Sequence, residues 1–176
     1  MGKRRLIGKI VILMLGLAAV VILAANSDTI PVSTPKKGYR VVIDPGHGGS
    51  DCGAVGVSGV KEAGLNLAVS LYLKEELEAL GMEAILTRSD ERALAEGKKA
   101  DMAARGKIMN GEGVDLVVSV HMNKFTDPSV HGPMAFYMKG SAEGEKLAKT
   151  VIDSITDELG APRRIANPGD YYVIRE

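Results

Sequence analysis

The sequence lacks the residues on which several protein classes depend. Its 176 residues include one cysteine, no tryptophan and only 4% aromatic side chains. The single cysteine, Cys52, cannot form an intramolecular disulfide, which excludes a disulfide-stabilised scaffold. The scarcity of aromatic rings and the net charge of zero argue against a surface that stacks bases or neutralises phosphates. We therefore expect no nucleic-acid partner and a fold that depends on its hydrophobic core.

The zero net charge conceals an uneven distribution. Residues 1–25 carry four basic side chains and no acidic one, so the rest of the chain is acidic by the same amount. A basic start is followed by an almost unbroken apolar run that ends at Ala25. Counted from Leu6, this run would be about 30 Å long as a helix, which is about the thickness of a hydrocarbon core. Residues 1–25 are therefore predicted to be a cleaved signal or an uncleaved membrane anchor, with the rest of the chain outside the cytoplasm.

Residues 26–38 are the predicted linker between this segment and the domain. They contain Pro31, Pro35 and Gly38 and show no hydrophobic period. From residue 39 onwards, apolar runs typical of strands alternate with segments at helical spacing. The predicted strands are residues 39–43, 83–88, 114–120 and 134–138, and the predicted helices are residues 62–80, 101–109 and 141–159. This alternation predicts an α/β domain with a mainly parallel sheet flanked by helices.

Two histidines follow directly after predicted strands. His47 lies in the glycine-rich segment Asp44–Gly49, and His121 follows the third strand. Because the carboxyl ends of parallel strands meet at one edge of a sheet, both imidazoles are expected at that edge. Glu62 begins the helix that lies between them in sequence. Two imidazoles and one carboxylate can hold a divalent metal with one position left open, as in a hydrolytic zinc site.

Each of these residues also has a simpler interpretation on its own. A glutamate such as Glu62 is typical of a solvated first helical turn, where the helix dipole favours it. A lone histidine after a strand is more often structural than ligating, and His131 is interpreted in that way. Asp44 has two alternative roles, either to orient the glycine-rich loop or to accept the second nitrogen of an imidazole.

Several stretches of the sequence carry further motifs. They are Val42–Gly49, Lys61–Ala68, Thr87–Asp90, Ala104–Arg105 with Asn110, Ser119–Asn123 and Gly132–Tyr137. Over residues 39–176 the chain resembles the zinc-dependent N-acetylmuramoyl-L-alanine amidases of the type 3 family, which cut bacterial peptidoglycan.

The resemblance implies that His47, Glu62 and His121 are the three ligands of a Zn²⁺ cofactor. It also implies hydrolysis of the amide between the muramic acid lactyl group and L-alanine of the stem peptide, on the cell-wall side of the membrane. Asn123 and residues 124–130 are interpreted either as a lining of the glycan cleft or as a plain surface loop.

The last residues of the sequence agree with the family resemblance in one respect and depart from it in another. The segment Ala166–Arg175 is most similar to its spore-germination branch. The family's general-base glutamate, in a Glu-x-Gly-Phe-like segment on the last strand, has no counterpart before Glu176. We therefore expect residues 39–176 to be a C-terminally incomplete catalytic domain that lacks its last strand and helix and has no assigned base. Full activity of residues 26–176 would instead favour Glu176 or Asp170 as the base.

Two other function classes remain open from the sequence. A serine or cysteine hydrolase is suggested by His47-Gly48-Gly49 after a strand, but there is no Gly-x-Ser-x-Gly nucleophile elbow and only Cys52 lies nearby as a nucleophile. A non-catalytic wall-binding module is favoured by the missing glutamate. Sensitivity to chelators separates a metal hydrolase from the first class, and release of free amines separates it from the second.

Overall fold

The computed structural model describes residues 38–127 and 129–175, so the predicted membrane segment and most of the linker lie outside it. The described chain divides into two compact units, one ending at Phe125 and the other formed by Thr126–Arg175. The first unit contains β1 (Arg40–Pro45), α1 (Glu62–Ala79), β2 (Glu83–Leu86), α2 (Lys98–Met109) and β3 (Leu116–Val120). The second unit contains β4 (Phe136–Met138), α3 (Ala142–Leu159), β5 (Asn167–Gly169) and α4 (Tyr172–Arg175).

A three-stranded parallel sheet forms the centre of the first unit, in the order β2-β1-β3. Val41 of β1 is in register with Ala84 of β2 and with Leu116 of β3. The middle position suits β1 because its apolar side chains are buried on both faces. Successive side chains alternate between the faces, so Val41 and Ile43 face one layer while Val42 and Asp44 face the other.

A helix lies on each face of this sheet. On one face, α1 packs Leu73 and Leu77 against the buried cluster formed by β1 and β2. On the other face, Arg105 of α2 forms an ion pair with Asp44 of β1. The predicted α/β architecture, with a parallel sheet flanked by helices, is thereby confirmed.

The two ends of α1 have local causes. Two N–H groups in the first turn of α1 have no acceptor inside the helix. They donate hydrogen bonds to carbonyl groups of the preceding loop. These bonds run from Glu62 to Ala54 at 2.8 Å and from Ala63 to Cys52 at 3.1 Å. At the other end, Gly81 adopts a φ of 82°, which ends the helix where the sequence predicted. The loop before α1 therefore fixes Glu62 in the first helical turn.

The second unit contains a parallel pair of short strands, β4 and β5. Helix α3 follows Ser141, whose hydroxyl oxygen accepts a hydrogen bond from the N–H of Gly144 at 3.0 Å. It ends at Gly160, which adopts the left-handed conformation. Both ends agree with the predicted helix. Its buried residues recur every four positions, at Ala148, Ile152 and Thr156.

The sequence did not predict β5 and α4. Pro168 lies in the middle of β5, in register with Tyr137 of β4. Proline has no N–H to donate and is rare inside strands, so the sequence pattern does not predict a strand here. The pairing of β4 with β5 is stabilised by a hydrogen bond from the N–H of Asn167 to the carbonyl of Ala135, at 3.0 Å. In the part of the chain that the structure describes, no helix is both long and apolar enough to cross a membrane.

Candidate metal centre

His47 lies directly beyond the carboxyl end of β1, at the sheet edge that the sequence predicted. The N–H of Gly46 donates to the carbonyl of Val120 at 3.0 Å, which draws the loop against the end of β3. A side chain at Gly46 would collide with His121, because its Cβ would lie 2.2 Å from the imidazole Cε1. Glycine at this position lets the rings of His47 and His121 approach, with their centroids 4.9 Å apart.

The carboxylate of Glu62 is buried and held by backbone N–H groups. Its Oε2 accepts a hydrogen bond from the N–H of Ala54 at 2.8 Å, and its Oε1 accepts one from the N–H of Met122 at 3.0 Å. Gly53 leaves room for this arrangement, since a Cβ there would lie 2.7 Å from Oε2. Burial raises the pKa of Glu62, but the two N–H groups and the neighbouring histidines outweigh burial. The pKa of Glu62 therefore lies below its ordinary value.

The structure brings the three predicted site residues together. One ligand atom from each of His47, Glu62 and His121 lies within 4.8 Å of the others. Oε1 of Glu62 is 3.3 Å from Nε2 of His47 and 3.1 Å from Nδ1 of His121. Glu62 is buried, His47 is half-buried and His121 is exposed, so the group opens towards solvent on the His121 side.

This donor set fits a divalent cation. Two imidazole nitrogens and a carboxylate oxygen are typical zinc ligands. Among the described residues, Glu62 is bonded by backbone N–H groups, the Asn66 amide and the two imidazoles. None of these groups carries a permanent positive charge. A buried carboxylate normally requires a charged partner or a metal, and a cation shared by the three side chains meets that requirement.

The second ring nitrogen of His47 faces Asp51. The Oδ2 atom of Asp51 lies 3.0 Å from Nδ1 of His47, and this hydrogen bond lowers the pKa of Asp51 below its ordinary value. A carboxylate on Nδ1 fixes the tautomer in which Nε2 is free to bind a metal. The sequence had suggested Asp44 as one candidate for this contact. That alternative is wrong, because the contact comes from Asp51 in the glycine-rich turn.

Replacing Asp51 by asparagine is expected to weaken zinc binding by about 10- to 100-fold. Asparagine keeps Oδ1, which accepts from the N–H of Gly53 at 3.1 Å. It replaces the oxygen that faces His47 by an NH₂ group, which cannot accept a hydrogen bond. Competition with a chromophoric chelator measures the affinity. Asp90→Asn is the control, because Asp90 pairs with Arg92 on the surface, and equal losses in the two variants would contradict this role.

Asp44 takes the other role that the sequence suggested, which is to orient the loop. It is 1% exposed and accepts hydrogen bonds on both oxygens. Oδ1 accepts from Nη1 of Arg105 at 2.7 Å and from the hydroxyl of Thr87 at 2.6 Å, and Oδ2 accepts from the hydroxyl of Ser119 at 3.0 Å. The contact with Arg105 was not predicted. In the sequence its only signal is the Ala104–Arg105 stretch that contributes to the family resemblance.

Cys52 is placed poorly for nucleophilic catalysis. The residue is half-buried, and its thiol contacts the carbonyl oxygen of Gly53 at 3.5 Å. Both nitrogens of His47 already face carboxylates, those of Asp51 and Glu62. This imidazole is therefore engaged and is not free to activate the thiol, which argues against the cysteine hydrolase interpretation.

Among the described residues, the group of possible metal ligands consists of His47, Glu62 and His121. His131 belongs to the second unit, where its Nδ1 lies 2.7 Å from the carbonyl oxygen of Ser129. Glu176 lies outside the described residues. The alternative bases Asp170 and Glu176, and the interpretation of residues 123–130 as a cleft lining, stay predictions.

A parallel α/β sheet with two histidines and a glutamate at its carboxyl edge is the arrangement expected of a metal-dependent hydrolase. Comparison with known families agrees with this class. The family model for N-acetylmuramoyl-L-alanine amidases matches residues 41–176. The chain belongs to this family.

Individual relatives show how much of the protein is shared. The chain is 34% identical over 142 residues to the germination-specific N-acetylmuramoyl-L-alanine amidase of Bacillus subtilis, covering 76% of this chain and 60% of that protein. It is 33% identical over 126 residues to the amidase AmiA of Escherichia coli, covering 71% of this chain and 42% of that protein. This chain therefore spans less than two thirds of the length of either relative.

A solved structure supports the fold independently. The CwlD amidase from Clostridioides difficile, determined in complex with the GerS lipoprotein, superimposes with a TM-score of 0.73 at 27% identity. The match covers 78% of this chain and 76% of that one.

Proposed function

We propose that this chain is a zinc-dependent amidase that hydrolyses the bond between N-acetylmuramic acid and L-alanine in peptidoglycan. The observation that carries the proposal is the group of His47, Glu62 and His121, whose ligand atoms lie within 4.8 Å of one another. These three residues are the proposed metal ligands. Membership of the amidase family and similarity to the germination-specific amidase support the same substrate class.

The three ligands would contribute differently to this site. Glu62 is buried and fixed by two backbone N–H groups, so it sets the position of the cation. His47 is oriented by Asp51. His121 is exposed, and we expect the substrate to approach from its side. When bound, zinc supplies the Lewis acidity that makes water reactive near neutral pH and polarises the scissile carbonyl.

Hydrolysis adds water across the amide and leaves a carboxyl group on the lactyl side and a free amine on alanine. Both oxygens of Glu62 are engaged with N–H groups and imidazoles, so Glu62 is suited to hold the cation and not to accept the water's proton. By the family resemblance, a further glutamate accepts that proton. Residues 1–176 contain no matching Glu-x-Gly-Phe segment. A positioned base contributes about 10²- to 10⁴-fold to the rate.

The proposal is tested by incubating the full chain with purified sacculi and one equivalent of zinc. An amine-reactive dye and mass spectrometry detect newly released amino groups of L-alanine. The expected result is release that stops on chelation, returns with zinc and is indifferent to thiol reagents. Release that persists in the presence of chelator would contradict a metal-dependent reaction.

The same preparation separates catalysis from simple binding to the wall. Sedimentation of the chain with sacculi, without any release of alanine amines under zinc saturation, would favour the non-catalytic wall-binding interpretation. Zinc stoichiometry measured on that sample shows whether the cation site itself has formed.

We further propose that the domain acts on the cell-wall side of the membrane, exported or anchored through residues 1–25. The basic start and apolar run of that segment support export, and the similarity to a germination-specific amidase supports spore peptidoglycan as the substrate. The mass of the mature N-terminus distinguishes a cleaved signal from an anchor. A preference for spore over vegetative sacculi is the expected result, and equal rates on both would contradict the germination role.

A further inference from the structure

Two buried arginines hold the backbone of the loop that carries His47. Arg88 donates from Nε to the carbonyl of Pro45 and from Nη2 to the carbonyl of Gly46, both at 2.9 Å. Arg105 donates from Nη1 to the carbonyl of Pro45 at 2.8 Å and from Nη2 to the carbonyl of His47 at 2.6 Å. Three consecutive carbonyl groups are thus held by side chains that are at most 4% exposed.

The backbone of His47 is itself unusual. Its φ is +64°, and within residues 38–127 and 129–175 it is the only non-glycine residue with a positive φ. A side chain with a Cβ is disfavoured in this left-handed region. Such a conformation persists only where the surroundings impose it, and these residues tend to occur at functional sites. The bond from Arg105 to the carbonyl of His47 is in a position to impose it.

Arg105 is anchored before it reaches the loop. Its Nη1 donates to Asp44 and its Nε donates to Asp101, each at 2.7 Å. Burial disfavours the charge of Arg105, but these two carboxylates outweigh burial and raise its pKa above the ordinary value. The planar guanidinium can serve two carboxylates and two carbonyl groups at once, whereas a lysine ammonium lacks this fork of donors.

We propose that Arg105 is a positioning residue that holds His47 in the left-handed conformation and so aims its Nε2 at Glu62. The proposal deepens the proposed function, because it rests on His47 being a metal ligand. It makes α2 part of the metal centre, although α2 contributes no ligand to it.

The first test compares two arginine-to-lysine variants of the full chain. Arg105→Lys is expected to lower zinc affinity by about 10- to 100-fold, the usual effect of losing a contact that orients a ligand. Arg40→Lys is the matched control. Arg40 also bonds a carboxylate and a carbonyl group, those of Glu83 and Glu112, but at the amino end of β1. Unchanged affinity is expected for the control, and an equally unchanged affinity in Arg105→Lys would overturn the proposal.

The second test needs no metal. Glycine tolerates a positive φ and alanine does not, so His47→Gly should unfold at a higher urea concentration than His47→Ala. If Arg105 imposes the conformation, this difference should shrink or vanish when both variants also carry Arg105→Lys. A role of Arg105 confined to general stability would shift both midpoints equally and leave the difference intact, which would overturn the proposal.

A milder variant covers the case in which Arg105→Lys does not fold. Asp101→Asn keeps the oxygen that accepts from the N–H of Leu94 at 2.7 Å but weakens the anchor on Nε of Arg105. It should lower zinc affinity several-fold, and unchanged affinity would contradict the proposal. The comparison of His47→Gly with His47→Ala tests the positioning role of Arg105 separately from the proposed metal-binding function. It can give the expected result even if His47 proves not to bind zinc.

Discussion

Replacing Glu62 by glutamine is expected to remove bound zinc from the purified chain and to lower amidase turnover by about 10³-fold or more. Glutamine retains a similar shape and one carbonyl oxygen, but it loses the negative charge that balances the cation between the two imidazoles. A metal Lewis acid contributes several kcal/mol of transition-state stabilisation, and a loss of about 4 kcal/mol corresponds to about 10³-fold in rate. Zinc stoichiometry and alanine-amine release are measured on the same sample.

The control for Glu62→Gln lies on the same helix. Glu75 belongs to α1 but is exposed, so Glu75→Gln changes the net charge identically without touching the site. It should keep stoichiometric zinc and unchanged turnover. If Glu62→Gln retained both properties as well, the metal-site assignment would fail.

Replacing Asp44 by alanine is expected to cost about 3–5 kcal/mol of folding free energy, because it breaks a buried ion pair. The guanidinium of Arg105 would keep Asp101 as its remaining carboxylate partner. Both side chains of the Asp44–Arg105 pair are 2% exposed, so solvent cannot replace the lost contact. The hydroxyls of Thr87 and Ser119 would also lose their acceptors. A loss of this size is a large fraction of the total stability of about 5–15 kcal/mol that is typical of a domain. Urea unfolding of the full chain without zinc measures it.

An exposed ion pair provides the comparison for Asp44→Ala. Asp157 pairs with Arg163 at 2.8 Å, and their side chains are 71% and 56% exposed. Asp157→Ala should therefore cost less than about 1 kcal/mol, as surface pairs usually do. Similar losses from the two substitutions would contradict the view that the Asp44 pair is part of the core of the first unit.

The elements that carry the site were predictable because their signals are local. The apolar run before Asp44 can be satisfied only by a strand that is buried on both faces, and the structure places it in the centre of the parallel sheet. Helical spacing and Gly81 located α1 and its end. Since parallel strands end at a common edge, the meeting of His47 and His121 followed from their positions in the sequence.

The contacts that orient these ligands were not predictable, because they join residues that are distant in sequence or depend on loop geometry. Arg105 is 61 residues from Asp44, and an arginine on a helix is ordinarily expected to face solvent. Asp51 was missed because only the turn formed by Gly48 and Gly49 brings its carboxylate back to His47. Local periodicity carries no information on either contact. Short β5 was missed for a different reason, since Pro168 contradicts ordinary strand preference.

The close approach of the His121 ring to Gly46 limits the residues that this position tolerates. A single methyl group there would need the space of the His121 ring, since the three atoms nearest to it all belong to that ring. The ring would have to turn, and it would then leave its place beside Glu62. A substitution at this position therefore acts directly on the proposed metal ligands.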